Sequence, residues 1–283
     1  MKRVSLWAVA LGALALAGCA RHQAGVTVTG SDTMVNLVQA WSADYMKGHP
    51  AAAISVTGGG SGVGLAALAS GTTDIASSSR PVEPREVEQA KQNGITPVEH
   101  EVALDGLTVV VHPQNPLRRL SIPQLAAVYT GKVRNWSQVG GPDRPLVALA
   151  RDRNSGTHVF FLEHVVREGD PKSTAEYAAA DLLLPSNQSI ADEVAGNPRA
   201  IGYIGLGYYD PQKHKALAIG ATNDGPFILP SIETVRNRTY PIARPLYMYT
   251  RQEPRPEVTD FLRYVTSPQG QAIVQQLDFV PLR

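Results

Sequence analysis

The sequence predicts an α/β protein on a largely parallel sheet, and three observations carry that prediction. Short β-branched runs at 26–29, 54–57 and 74–76 are each followed by a Gly/Ser-rich turn, and after the first two a helix-like stretch begins. Strand, turn and helix in repetition make a βαβ rhythm. Met34, Leu37, Val38, Trp41 and Tyr45 recur at i, i+3, i+4 spacing, the stripe of an amphipathic helix. The chain has 283 residues, 43% of them hydrophobic, which suffices for one large or two ordinary domains with their own cores.

The elements follow in order. The first strand, 26–29, runs into the turn Gly30-Ser31-Asp32-Thr33, and the helix after it stops at Gly48-His49-Pro50. The second strand, 54–57, enters Gly58-Gly59-Gly60-Ser61-Gly62 and an Ala/Leu-rich helix over 63–69. The third, 74–76, enters Ser77-Ser78-Ser79-Arg80-Pro81. A long β-rich stretch over 102–111 is expected to break at Asp105-Gly106. A short helix over 121–131 has a Pro in its first turn, and a strand at 145–150 leads into residues 151–157 and a helix over 158–167. Strands are expected at 200–203 and 247–250, then closing helices at 256–266 and 267–277, the last with Ser267 as N-cap and Pro268 at its first position. There is no internal repeat and no low-complexity tract.

The first 18 residues read as a targeting segment. Met1-Lys2-Arg3 supplies positive charge, 4–17 is apolar apart from one Ser, and small residues precede Cys19. That order is the order of a secretory signal, and the run is short for a transmembrane helix. Leu16-Ala17-Gly18-Cys19 resembles the bacterial lipobox, which implies cleavage before Cys19 and a lipid on its thiol. The alternative is an ordinary signal peptide with an incidental Cys. Cys19 is the sole cysteine, so no intramolecular disulfide is available. Residues 19–25 then form a lipidated tether, and the protein is held to a membrane surface by lipid alone.

Charge excludes some partners. Lys and Arg total 26 against 25 Asp and Glu, and this balance lacks the basic excess of a nucleic-acid binder. Any anion specificity must come from a local site. Three turns offer one: Ser31-Asp32-Thr33, Ser61-Gly62 and Ser155-Gly156-Thr157 each follow a strand and open a helix. The first turn of a helix carries unpaired N–H groups and the positive end of the dipole. Ser and Thr add hydroxyl donors, and Gly admits close approach to the backbone. Each turn alone reads more simply as an N-cap. The third adds Arg151, whose guanidinium can grip two oxygens of a tetrahedral anion.

Enzyme readings find less support. The seven His show neither HExxH nor HxH spacing, so no metal cofactor is indicated. Ser155 and His158 could be read as nucleophile and base, or as a cap with a neighbouring His, and the flanks lack the G-x-S-x-G elbow. The glycine run at 60–64 lacks a P-loop Lys and the dinucleotide spacing, so no nucleotide cofactor is implied.

Taken in order along the chain, a longer set of motifs resembles the phosphate-binding protein family of the bacterial ABC-type phosphate importer. The resemblance rests on Gly30-Ser31-Asp32-Thr33, Gly60-Ser61-Gly62, the run Asp74-Ile75-Ala76-Ser77-Ser78-Ser79-Arg80 and Asp105-Gly106. It continues through Tyr129-Thr130-Gly131-Lys132 with Asn135-Trp136, Arg151 with Ser155-Gly156-Thr157, and Gly202-Tyr203-Ile204-Gly205. Arg244-Pro245-Leu246-Tyr247 and Phe279-Val280-Pro281-Leu282 complete it.

The resemblance implies a two-domain type II periplasmic-binding-protein fold with a hinge and an interdomain ligand cleft. Domain I would take 26–105 plus 243–283, and domain II 106–242. Phosphate would be held by Thr33 and the Met34 N–H, by Ser61, Ser79 and Arg80, and by Arg151, Ser155, Gly156 and Thr157. The implied partners are inorganic phosphate and an inner-membrane ABC permease, with no cofactor, for a monomeric lipoprotein of the periplasm or cell surface. Several members of that family carry an Asp where Ser79 stands here, to accept the proton of hydrogen phosphate and reject sulfate. Asp32 and Asp105 are alternative acceptors near the implied cleft, or else turn aspartates. Another tetrahedral oxyanion such as sulfate or molybdate, a non-transport phosphate sensor, and a phosphate-ester hydrolase remain the other readings.

Overall fold

The first β-branched run forms β1 (Val26–Gly30), and the apolar stripe after it forms α1 (Val35–Gly48), joined by a 3-10 turn at Asp32–Met34. The structure, a computed structural model, describes residues 25–282. The expected signal peptide, the Cys19 lipidation site and residues 19–24 of the tether lie outside the described residues. β2 (Ile54–Thr57), α2 (Ser61–Ala69), β3 (Ile75–Ser78) and α3 (Pro84–Gln92) follow. The sequence reading did not place α3. Its signal is a capping box, in which the Glu83 N–H donates to Glu86 Oε2 at 2.8 Å, with Pro84 at the first position.

β4 (Pro97–Val111) is one continuous strand of 15 residues, which corrects the expected break at Asp105-Gly106. The two residues stay in register with the strand beside them, so they are extended and make no turn. A Cβ at Gly106 would lie 2.6 Å from Val235 Cγ2, so this glycine is required by side-to-side packing.

The chain then forms β5 (Arg119–Ser121), α4 (Ile122–Tyr129), β6 (Val147–Arg151) and α5 (Gly156–Phe161), which continues into a π-turn at Leu162–Val166. Next come β7 (Leu182–Leu184), α6 (Asn187–Gly196), β8 (Ala200–Gly205), β9 (Lys215–Ala216), β10 (Ala218–Gly220), β11 (Phe227–Ile228) and α7 (Ile232–Arg236). β12 (Ala243–Arg251), α8 (Pro256–Val265) and α9 (Pro268–Gln276) close the described chain. Ser267 caps α9 as expected, accepting from the Gly270 N–H at 3.2 Å.

The main sheet has the order β2-β1-β3-β12-β4-β8-β6-β7, with β9 also on β4, and β5, β10 and β11 form a small second sheet. β1 is parallel to β2 and β3, and β6 is parallel to β7 and β8. The strands between these two groups are antiparallel, so the parallel character holds within each lobe but not across the molecule. β4 joins the lobes: residues 97–106 pair with β12, and 107–111 pair with β8. This is the two-domain α/β architecture, with two long strands crossing between lobes.

Each lobe has its own core. One gathers Met34, Leu37, Trp41, Ile75, Leu246, Met248 and Phe261. The other gathers Val109, Tyr129, Trp136, Phe161, Tyr203 and Ile219. Turns at the carboxyl ends of the parallel strands therefore meet between the lobes, which is where open α/β sheets bind ligands.

Trp41 pins α1 to α9 in the first lobe: it is fully buried and donates its indole N–H to Gly270 O at 2.7 Å. Trp41→Ala should cost about 3–5 kcal/mol through the cavity. Trp41→Phe should cost about 0.5–1.5 kcal/mol through the lost hydrogen bond. Urea unfolding followed by circular dichroism measures both, and equal losses for the two variants would refute the assignment.

Candidate functional site

Four turns converge between the lobes, each because a parallel strand ends and a helix starts. β1 delivers residues 30–34, β2 delivers Gly60 and Ser61, β3 delivers Ser79 and Arg80, and β6 delivers Arg151 to Thr157. Backbone bonds tie the first three together: Ser31 N–H donates to Ser77 O at 2.9 Å, and Gly60 N–H donates to Gly30 O at 2.9 Å. Gly62 N–H donates across the cleft to Asn154 O at 3.1 Å, so the lobes are in contact. Gly60 has φ +102°, and a Cβ there would lie 2.5 Å from Asn154 O, so only glycine fits this seam.

The hydroxyl cluster spans both lobes. Thr33, Ser61, Ser79, Ser155 and Thr157 are each at most 2% exposed. Thr33 Oγ1 lies 2.9 Å from Thr157 Oγ1. The Ser61 hydroxyl accepts from the Ser79 N–H at 3.0 Å and lies 3.4 Å from Ser79 Oγ. Gly156 is pressed against that pair: a Cβ there would sit 2.3 Å from Ser61 Oγ and 2.7 Å from Ser79 Oγ. Ser155 caps α5 by accepting from the Thr157 N–H at 3.2 Å, and its own proton remains to be donated. The Met34 N–H donates to Ser31 O at 3.1 Å, closing its own turn, and its side chain lies in the core.

The two cations named from the sequence differ. Arg80 makes a bidentate pair with Glu86, at 2.8 and 2.6 Å, and its Nη1 also donates to Pro81 O at 2.9 Å. Its Nε is buried without a partner among the described residues. Arg151 is 1% exposed, with Nη2 donating to Pro185 O at 2.8 Å and standing 3.3 Å from Asp32 Oδ2. Its Nε and Nη1 are both buried without a partner among the described residues. A buried guanidinium with N–H groups to spare, in a turn whose Thr157 hydroxyl meets Thr33 of the other lobe, has the donors to receive an anion with several oxygens.

A directional chain holds Arg151 in place. Its N–H donates to Tyr203 Oη at 3.2 Å, and Tyr177 Oη donates to His158 O at 3.1 Å. The Tyr203 hydroxyl therefore donates to Tyr177, 2.8 Å away. Burial pushes the Tyr203 phenol up to about 12, so it stays a donor. His158 Nδ1 donates to Arg151 O at 2.7 Å, and burial depresses its basicity. The ring of His158 thus braces the turn instead of serving Ser155 as a base.

Sequence reasoning gave no role to Arg244. It is 2% exposed and pairs with Asp105, which is fully buried: Nε and Nη2 donate to Asp105 Oδ2 at 3.2 and 2.9 Å. Nη1 donates to Ser79 O at 3.1 Å, and Nη2 reaches Thr157 Oγ1 at 3.0 Å and Thr33 Oγ1 at 3.4 Å. Burial pushes the Asp105 carboxyl up, and Arg244 against it holds it down. Asp105 also accepts from the Leu206 N–H at 3.1 Å. It is a buried pairing partner, and Asp32 is likewise engaged by Arg151 and Asn187. The one sequence signal for Arg244 was its place in a motif.

A family model described as a PBP superfamily domain matches residues 17–269. The phosphate-binding protein PstS of Bacillus subtilis is 31% identical over 258 residues, covering 91% of this chain and 80% of that protein. The protein SphX of Synechococcus elongatus is 30% identical over 285 residues, covering 97% and 82%. Among solved structures, a Clostridium perfringens protein described as a phosphate ABC transporter substrate-binding protein, with bound phosphate, has TM-score 0.82 at 28% identity, covering 92% of this chain and 100% of that one. An ABC-type phosphate transport receptor from Vibrio cholerae has TM-score 0.72 at 27% identity, covering 90% and 99%.

Arg244→Leu leaves Asp105 buried and unpaired, and should lower stability by about 3–5 kcal/mol. Adding Asp105→Asn should recover much of that loss. Thermal unfolding of the single and double variants decides it, and additive losses would disprove the pairing.

Proposed function

The chain belongs to the PBP superfamily, and on that footing we propose that it captures inorganic phosphate between its lobes and delivers it to an ABC importer. The observation that carries this reading is Arg151, 1% exposed with Nε and Nη1 unpartnered among the described residues, in the turn that bears Ser155 and Thr157 and against Asp32 of the other lobe.

In this reading the phosphate oxygens accept from the Thr33 hydroxyl and N–H and from the Ser61 and Ser79 hydroxyls. From the other lobe they accept from Arg151, the Ser155 hydroxyl, the Gly156 N–H and the Thr157 hydroxyl. Arg80 contributes its charge and its Nε, since both Nη atoms are engaged by Glu86. Met34 supports the turn through its core packing. No global positive field is needed, because helix N-termini and the guanidinium groups of Arg151 and Arg80 supply the local potential. A ligand held by both lobes favours the closed state, and opening releases it.

Placement in the cell follows from the same reading. The protein acts outside the cytoplasm, and no helix among the described residues is long and apolar enough to cross a membrane. Anchoring through a lipid on Cys19, a monomeric state and an inner-membrane permease as partner complete the proposal. Domain I then comprises 26–105 plus 243–283, and domain II 106–242.

Ser79 bears on selectivity. A hydroxyl donates and accepts, so it takes a protonated or an unprotonated ligand oxygen. An Asp there would repel a fully ionised anion. Phosphate should still bind more tightly than sulfate, and Ser79→Asp should weaken sulfate more than phosphate.

Calorimetry on residues 25–283 tests the proposal. Phosphate should give saturable heat, and equal affinity for sulfate would overturn the phosphate assignment. Arg151→Ala should cost about 2–5 kcal/mol of binding, roughly thirtyfold or more, and Arg80→Ala less than about tenfold. Comparable losses would mean that the main cation is misplaced. Gly156→Ala should weaken binding roughly tenfold to a hundredfold, because its Cβ would meet Ser61 and Ser79 only when the lobes close. A normal affinity for that variant would remove Gly156 from the closed seam.

A further inference from the structure

We propose that Asp32 is the clasp of the closed cleft: a carboxylate of the first lobe that caps helix α6 of the second and orients Arg151 for the ligand. The inference rests on the phosphate reading above.

Asp32 lies in the 3-10 turn directly before Thr33. Among the described residues, its side-chain partners Asn187 and Arg151 both belong to the opposite lobe. Asp32 Oδ2 accepts from the Asn187 N–H at 2.9 Å and from Asn187 Nδ2 at 2.8 Å, and stands 3.3 Å from Arg151 Nη2. Its carbonyl is gripped too, accepting from the Tyr208 hydroxyl at 2.9 Å. Asn187 is the first residue of α6, so its N–H belongs to the unpaired, positive end of that helix. A carboxylate placed there gains from the dipole and from two donors at once.

The partner side chain is itself fixed. Asn187 is fully buried, and its Oδ1 accepts from the Gly205 N–H at 3.1 Å. That bond sets the amide so that Nδ2 faces Asp32, with Thr33 Oγ1 a further 3.4 Å neighbour. Asp32 and Pro185 O then hold one nitrogen of Arg151, while Nε and Nη1 stay free. The same carboxylate thus joins the lobes and sets the rotamer of the main cation. In an open cleft the bonds of Asp32 to Asn187, Arg151 and Tyr208 are lost, so Asp32 acts on release more than on capture.

Two effects of the charge oppose each other. A carboxylate near a bound anion repels it, so removing the charge would tighten binding if repulsion dominated. Arg151 and the α6 N-terminus already neutralise Asp32, so its repulsion of the ligand is weak and the lost clasp dominates. The sign of the change therefore tests the inference.

Asp32→Asn should weaken phosphate on the order of tenfold, by stopped-flow through faster dissociation with an unchanged or faster association rate. The unfolding temperature without ligand should match that of the wild type. Asn187→Asp sets two carboxylates face to face and should weaken binding in the same way. The Asp32→Asn/Asn187→Asp double variant should recover part of the loss. Unchanged or tighter binding by Asp32→Asn, additive losses in the double variant, or a loss that tracks a lowered unfolding temperature would each overturn the clasp. Wild-type protein titrated in parallel separates the premise: no phosphate heat there overturns the phosphate reading and the clasp together, whereas a binding wild type leaves the clasp alone at stake.

Discussion

At the floor of the cleft, two charges without access to water face each other across the strands that join the lobes. Asp105 on β4 and Arg244 on β12 are register partners, 2.9 Å apart at their closest atoms. Burying an unpaired charge is prohibitive, so each exists only because the other is opposite it. The pair therefore locks the register of the crossover strands. Arg244 then has donors left over, and they reach Ser79 O, Thr33 and Thr157, groups from both lobes. The hinge and the site share one guanidinium. A shift of either crossover strand would move the hydroxyls that the cleft presents.

Above that floor the site is assembled from weak local devices. Each of the four turns is an ordinary strand-to-helix junction, and a single helix start with a hydroxyl is an ordinary cap. What differs is that the carboxyl ends of both parallel strand groups face each other, so the junctions are stacked into one volume. The charges there nearly balance, with Arg151 and Arg244 against Asp32 and Asp105. Affinity for an anion then comes from directed donors and not from excess charge. The clasp at Asp32 fits that scheme, since it places a negative charge where a helix end and a guanidinium absorb it.

Much of the fold was legible because its signals are local. The i, i+3, i+4 stripe that gave α1 and the Ser267-Pro268 start of α9 depend on neighbours a few residues away. The helix α3 was equally legible through its capping box and went unread. The expected break at Asp105-Gly106 failed for a different reason. Asp-Gly usually marks a turn, but here the Asp answers a charge 139 residues away and the Gly makes room for Val235. No window of sequence contains either cause.

The kind of chemistry is legible in local motifs: hydroxyls and glycines at helix starts, one arginine four residues before a serine, and an even charge balance that demands a local site. Those choices are written residue by residue, because capping and helix dipoles act over one turn. What holds each cation depends on packing between segments. The sequence favours Arg151 over Arg80 as the main cation and leaves Arg80 either on the ligand or paired at the rim; in the structure Glu86 holds Arg80 in a bidentate pair, and Arg151 keeps two nitrogens unpartnered among the described residues. Only the tertiary structure brought Arg244 under the hydroxyls and Asn187 against Asp32, across 155 residues. Ion pairs and buried amides are fixed by distances in space, and strand register and lobe contact set those distances.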